Sequence, residues 1–183
     1  MPMITVEYPA EQLSGSQKGE LAEDLTRILL EIEGGGDTPF GRAGSSVRFR
    51  ELAPGDWYIG GKNDGTYVSN SGLFLVEIYV PEGLLDQAAK SKAHSASTAA
   101  ICRVIGVAIE DARHIWVQVL EWPEGSLSSG GHTASLFGIA QRAGHPVDHP
   151  VLSFPRTYFD AKDRHFDSCG FPKGTGGRGL NRY

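Results

Sequence analysis

Cysteine is nearly absent from this chain. Its 183 residues hold only Cys102 and Cys169, with no framework spacing between them. A disulfide scaffold is therefore excluded, and a reducing, cytoplasmic setting is expected. Long apolar runs are missing too: no stretch approaches the roughly 18 residues of a membrane span. No charged segment followed by an apolar one opens the chain, so no secretory signal is read there. Basic residues are outnumbered, 17 against 22 acidic ones, for a net charge of −5. Without a basic stripe, non-specific nucleic-acid binding is not expected. Metal-ligand spacings are also lacking. His145, Asp148, His149, His165, Asp167 and Cys169 follow no recognised signature, and Gly174 to Gly179 lacks the lysine of a phosphate loop. Neither a metal nor a cofactor is expected.

What is present begins at the first residues, Met1-Pro2-Met3-Ile4-Thr5-Val6-Glu7-Tyr8. Proline behind an initiator methionine permits removal of that methionine and leaves a free secondary amine. Ile4, Val6 and Tyr8 alternate with Thr5 and Glu7, the period-two pattern of a half-buried strand. A strand anchored in a sheet would hold the terminal amine in place. Its unperturbed pKa, about 7.7–8.0, already suits a base near neutrality. Ser14 and Gln17 have capping-box spacing. Leu21, Leu25, Ile28, Leu29 and Ile32 then recur at helical intervals, predicting a helix from about Ser16 to Glu33 that stops at three glycines. A glycine-rich loop to Gly44 leads to a strand at Ser46–Leu52, and Trp57–Gly61 reads as a small hairpin-like extension.

The same order returns. Leu73–Val80 is nearly all apolar and predicts a strand buried on both faces. Asp86 opens a helix carrying Ala89, Ala93, Ala100, Ile101 and Val104, and Ile115–Glu121 is the next strand. At an offset of 70 residues, Val47, Glu51, Gly55, Gly60 and Gly61 fall on Val117, Glu121, Gly125, Gly130 and Gly131. Val6-Glu7 falls on Val76-Glu77, and a two-residue shift aligns Lys18 with Lys90. The chain thus reads as three parts: a first β-α-β unit over 1–70, a second over 71–131, and a loop-rich tail over 132–183. The expected fold class is α+β, tandem β-α-β repeats forming a four-stranded sheet with two helices on one face. Trp116, Leu120 and Trp122 would then leave the other face partly apolar, which points to self-association.

The terminal proline opening a strand, the helix, Ser-Val-Arg-Phe at 46–49, Gly-Asp-Trp-Tyr-Ile-Gly-Gly at 55–61 and the duplication together resemble the tautomerase superfamily. That group includes 4-oxalocrotonate tautomerase, macrophage migration inhibitory factor and the 3-chloroacrylic acid dehalogenases. The duplicated layout most resembles the cis-3-chloroacrylic acid dehalogenase branch. The resemblance covers residues 2 to about 131 and implies a homotrimer of double units with its active site around Pro2. It implies that Pro2 is the catalytic base, that Arg48 binds the substrate carboxylate, and that Trp57 stands over the substrate. Arg50, on the same strand face as Arg48, would add to carboxylate binding. Such a guanidinium gives a carboxylate a two-pronged partner and favours a neutral amine nearby.

The departures narrow the chemistry. The dehalogenases' two arginines after the third strand fall at Pro81 and Leu84, and their first-helix histidine at Leu29. Their water-orienting tyrosine and glutamate fall at Gln118 and Ser129, and the second arginine of 4-oxalocrotonate tautomerase at Leu13. What remains suits proton transfer in a small unsaturated 2-oxo or 2-hydroxy carboxylate, a tautomerase or isomerase reaction. The alternatives are a hydratase, dehalogenase or decarboxylase using the same amine, or an oligomeric binding protein that retains the fold without the chemistry. All of the catalytic readings need an uncapped Pro2. Intact-mass spectrometry of the purified chain should find it one methionine short; retained Met1 would leave no free proline nitrogen.

Overall fold

The computed structural model describes residues 3–34, 36–177 and 180. Strand β1 (Met3–Pro9) leads to helix α1 (Gly15–Ile32), a short helix α2 (Pro39–Gly44) and strand β2 (Ser46–Leu52). Strand β3 (Phe74–Pro81), helix α3 (Gln87–Ile105) and strand β4 (Ile115–Trp122) repeat that order. The sheet runs β2-β1-β3-β4. Within each unit the two strands are parallel, joined by a helical crossover. The two units meet in the middle, where β1 and β3 pair antiparallel with Ile4 opposite Ile78 and Val6 opposite Val76.

Both helices start where their capping residues dictate. Ser14 accepts from the Gln17 amide while the Gln17 side chain accepts from Ser14, and Asp86 accepts from the Ala89 amide. Their apolar stripes cover one face of the sheet. Ile4, Val6, Tyr8, Val76, Ile78 and Val80 are fully buried beneath Leu21, Leu25, Leu29 and Ile101. At about 1.5–3 kcal/mol for each large apolar side chain removed from water, this layer is the main source of stability.

The duplication extends to individual contacts. Lys18 pairs with Glu51 in the first unit, and Lys90 with Glu121 in the second. Gly60 and Gly61 have φ of 59° and 79°, and Gly130 and Gly131 repeat those two values. Each glycine pair turns a two-residue hairpin whose central positions both need φ > 0. The first is a single bridge between Ile59 and Lys62. The second is formed by β5 (Ser128–Ser129) and β6 (His132–Thr133).

Three expectations are corrected. β3 is not buried on both faces: Leu75, Glu77 and Tyr79 are only half-buried, because both helices lie on one side of the sheet. The segment before β2 is not all loop. Thr38 caps the Gly41 amide and Pro39 occupies the first helical turn, which is enough to wind α2.

The third correction is the largest. The tail is not loop-rich: it contains α4 (Leu136–Arg142) and the 16-residue α5 (Ser153–Ser168). Phe154-Pro155 reads as a breaker in sequence, yet Pro155 sits in the first turn of α5, where its missing N–H costs no intrahelical bond. Leu136, Phe137, Ala140, Leu152 and Phe159 form a second buried cluster, and Leu84 packs against both clusters. α5 also crosses Gly83 closely enough that a Cβ there would lie 2.3 Å from the Tyr158 ring, and Gly83 has φ of 71°. Only glycine meets both demands.

Polar contacts tie the tail to the second unit. Glu82 accepts from Lys162 Nζ at 2.7 Å, from Tyr158 Oη at 2.7 Å and from the Glu124 amide at 3.0 Å. Glu124 in turn accepts from the Leu136 amide at 3.0 Å. Burial opposes ionisation of Glu82, but Lys162 and the other donors outweigh it and hold the carboxyl below its ordinary range. Burial and Glu82 push Tyr158 up to about 12.

Removing this acceptor should loosen the tail. Glu82→Gln should lower stability to urea by about 1.5–3 kcal/mol, the range for hydrogen bonds to a charged group, and should speed proteolytic cutting after residue 134. A depressed carboxyl pKa stabilises above the unfolded value of about 4.3 and loses that contribution as pH falls through the folded value. The wild-type tail should therefore become protease-sensitive on acidification before the sheet unfolds.

Candidate functional site

The register locates one end of the sheet. Met3 pairs with Ser46 on β2 and with Tyr79 on β3, so the chain enters β1 between the start of β2 and the end of β3. An apolar cavity of about 70 Å³ lies at that end. One water needs only about 10–15 Å³ on this measure, so a larger group can enter. The first unit contributes Glu33, Thr38, Phe40, Gly41 and Gly44, and the end of β3 contributes Pro81 and Leu84. The tail closes the rest with Leu136, Ile139, Ala140, Ala143, His145 and Leu152, helped by Val151.

Two titratable groups face this space. Glu33 caps the C-terminus of α1, where the helix dipole disfavours a negative charge. Its Oε1 is buried and has no hydrogen-bond partner among the described residues. Burial pushes its carboxyl above the ordinary carboxylate range. His145 follows the α4 C-terminus, with its ring 4.3 Å from that of His149. Burial, reinforced by His149, holds its imidazole below its ordinary value and so favours the neutral ring. No lysine or arginine is among the described residues lining the cavity.

The residues singled out from sequence lie elsewhere in the single chain. Pro2 falls outside the described residues. Arg48 and Arg50 extend from the uncovered face of the sheet: Arg48 Nη2 donates to Thr5 Oγ1 at 3.2 Å, and Arg50 pairs with Glu7. Both guanidinium groups are thus held by their β1 neighbours. Trp57 packs against Trp116, ring centroids 5.8 Å apart. Trp116 is opposite Leu75, and Leu75 opposite Glu7, four residues along β1 from Met3. At about 3.3 Å per residue, that is about 13 Å from the strand's start. The chain therefore brings Arg48 and Arg50 together on one face, but Arg50, opposite Glu7, lies in the same row as Trp116, so that it and the Trp57–Trp116 pair are both away from the start of β1.

The departures from the dehalogenase pattern are also accounted for. Pro81 and Leu84 line the cavity. Leu13 and Leu29 belong to the core. Gln118 donates to Glu77 at 3.0 Å. His114, at the start of β4, is buried, and its Nδ1 accepts from the Ser69 amide at 3.0 Å. Among the described residues no group of three metal-ligating side chains converges, and no helix is long and apolar enough to cross a membrane. Glu33 and the apolar tail residues are not singled out from sequence, and His145 is named there only among groups without a metal-ligand spacing. The available signal was a carboxylate in the last turn of a helix, against the dipole, directly before three glycines.

The buried Glu33 carboxyl has a stability consequence. A carboxyl whose folded pKa is raised holds its proton more tightly when folded. Its contribution is complete below the unfolded value of about 4.3 and fades as pH rises through the folded value. Urea titrations from pH 4 upward should show wild-type stability falling relative to Glu33→Gln, whose amide does not titrate. Parallel curves would mean that Glu33 is ordinary.

No protein-family model matches the sequence, and no curated protein matches it. Solved structures do. Native fused 4-OT superposes with a TM-score of 0.59 at 22% identity, covering 72% of this chain and 95% of that one. N1, a member of the cis-3-chloroacrylic acid dehalogenase family, gives 0.59 at 20% identity over 76% and 88%. Macrophage migration inhibitory factor of Toxoplasma gondii gives 0.52 at 16% identity over 72% and 99%. Other fused 4-OT structures are described as symmetric and asymmetric trimers. The chain has the fold of these solved structures, which cover about three quarters of it, and residues 132–183 form a C-terminal extension beyond its two β-α-β units.

Proposed function

We propose that this protein is a proline-dependent tautomerase or isomerase acting on a small unsaturated 2-oxo or 2-hydroxy carboxylate. The observation that carries the reading is the cavity at the start of β1, with a buried carboxyl oxygen in its wall, Glu33 Oε1, that has no hydrogen-bond partner among the described residues. Pro2 is bonded directly to Met3, whose strand neighbours are within two residues of Gly44 and Pro81 in that wall.

In this mechanism the neutral Pro2 nitrogen takes a proton from carbon or oxygen at one end of the conjugated system and returns it at the other. Apolar walls keep water away, so charge developing on the substrate is felt strongly by any nearby dipole or cation. Arg48 acts from a neighbouring copy. In its own chain it lies on the uncovered face and is bonded to Thr5, on the opposite side of the sheet from the cavity. A junction between copies at the end of the sheet where β1 starts, in a trimer like those described for fused 4-OT, brings a neighbour's guanidinium to the substrate carboxylate. Arg50 and Trp57 act between copies further along the sheet. Arg50 adds positive charge, and the Trp57–Trp116 pair offers an apolar surface.

The test is an ultraviolet assay with phenylenolpyruvate and 2-hydroxymuconate on a chain verified to lack Met1. Pro2→Ala should cut kcat/KM at least about 100-fold, the lower range for loss of a general base. Arg48→Ala should cost about 100- to 1,000-fold, as expected for removing one charge-stabilising donor. Unchanged turnover in Pro2→Ala would remove the proline mechanism. Failure to process any unsaturated acid would leave a binding protein that keeps the fold.

A further inference from the structure

We propose that the C-terminal extension sets the substrate class of this site: it closes the cavity around the hydrocarbon end of a monocarboxylic acid and excludes a second carboxylate. The inference rests on the reading of the cavity as a substrate site, and it concerns only what that cavity accepts.

Three observations support it. First, half of the wall comes from the extension. Leu136, Ile139, Ala140, Ala143, Val151 and Leu152 present only carbon to the space, and they face Phe40, Pro81 and Leu84. Second, the described part of the lining contains no fixed positive charge. The described lining residues include no lysine or arginine, and His145 is held toward its neutral form by burial and by His149. A carboxylate buried there would lose its water without gaining a counter-ion from these described residues, which costs several kcal/mol. Third, the cavity already contains an acid. Glu33 Oε1 is buried without a hydrogen-bond partner among the described residues, so a second carboxylate in the cavity would crowd a like group. A substrate with one carboxylate avoids both penalties by leaving its charged end at the mouth, where β1 begins, and inserting its apolar end against the carbon wall.

The extension is built for this task. It is anchored away from the cavity by Glu82, Lys162 and Tyr158, while its α4 and the segment from His145 to Leu152 form the cavity wall. Gly34, beside Glu33, lies so close to the extension that a Cβ there would be 2.6 Å from Val151. The extension therefore seats directly on the end of α1.

The experiment is calorimetric titration of the full, processed chain with 3-phenylpropionate and with adipate, one aromatic monoacid and one diacid. Phenylpropionate should bind at least tenfold more tightly. Ile139→Trp, which fills the cavity, should weaken it at least fivefold. Ala143→Leu, at an exposed position of the wall, should do likewise without disturbing the buried contacts of α4. Circular dichroism and resistance to protease would show that both variants keep the extension docked. Glu33→Gln should raise adipate affinity and narrow the ratio. Equal binding of the two acids, tighter binding of adipate, no binding of either, or indifference to both wall substitutions would overturn the proposal. The titration does not depend on turnover. A Pro2→Ala chain that retains the preference but also retains full activity would sink the proline mechanism alone.

Discussion

The antiparallel pairing of β1 with β3 is the constraint on which the molecule depends. Neither β-α-β unit can bury its own strands, because a single crossover helix covers only part of a two-stranded sheet. Joining the units edge to edge brings Ile4, Val6 and Tyr8 beside Val76, Ile78 and Val80, and two helices then roof all six. The same pairing fixes the position of the chain's first strand between β2 and β3. A strand so placed, hydrogen-bonded on both sides, makes its N-terminal end a fixed point rather than a frayed one. The cavity, the start of β1 and the end of β3 converge because of that register.

One face of the sheet remains uncovered, and its two halves differ. Toward β2 it carries Arg48, Arg50, Thr5 and Glu7 in mutual contact. Toward β4 it carries Trp116, which is 40% exposed, with Leu120 and Trp122 half-buried. A surface with paired charges at one side and tryptophans at the other suits association between copies, in which the apolar half supplies burial and the polar half orientation. In the proposed mechanism this face does more than assemble the protein. It carries the arginine that the cavity lacks.

The extension changes the character of the site without changing the sheet. It docks through a second apolar cluster that, among the described residues, shares Leu84 with the first, and through a carboxylate, Glu82, that serves three donors at once. Such an element can be lost or loosened while the main core survives, because the two clusters share so little. Its cost is local: Glu33 and His145 are both shifted toward their neutral forms by the burial that the cavity's walls impose.

Much of the fold could be read in the sequence, because the signals were periodic and repeated. Alternation set β1, the 3.6-residue stripes set α1 and α3, and the duplicated lysine, glutamate and glycine positions reappear as duplicated ion pairs and turns. These are short-range consequences of side-chain pattern and backbone freedom, so sequence alone determined them, including the strand at Ser46–Leu52 to the residue. The tail helices escaped because α5 has few apolar residues and opens with a proline that only a known helix start makes harmless. The site escaped further. Arg48 and Trp57 were recognisable as residue types, but which face and which end of the sheet they occupy depends on strand register and order. Glu33 and the closing wall of the cavity come from segments more than 100 residues apart. No local pattern encodes such a meeting; only tertiary packing, by removing water from that carboxyl, made it a feature of the molecule.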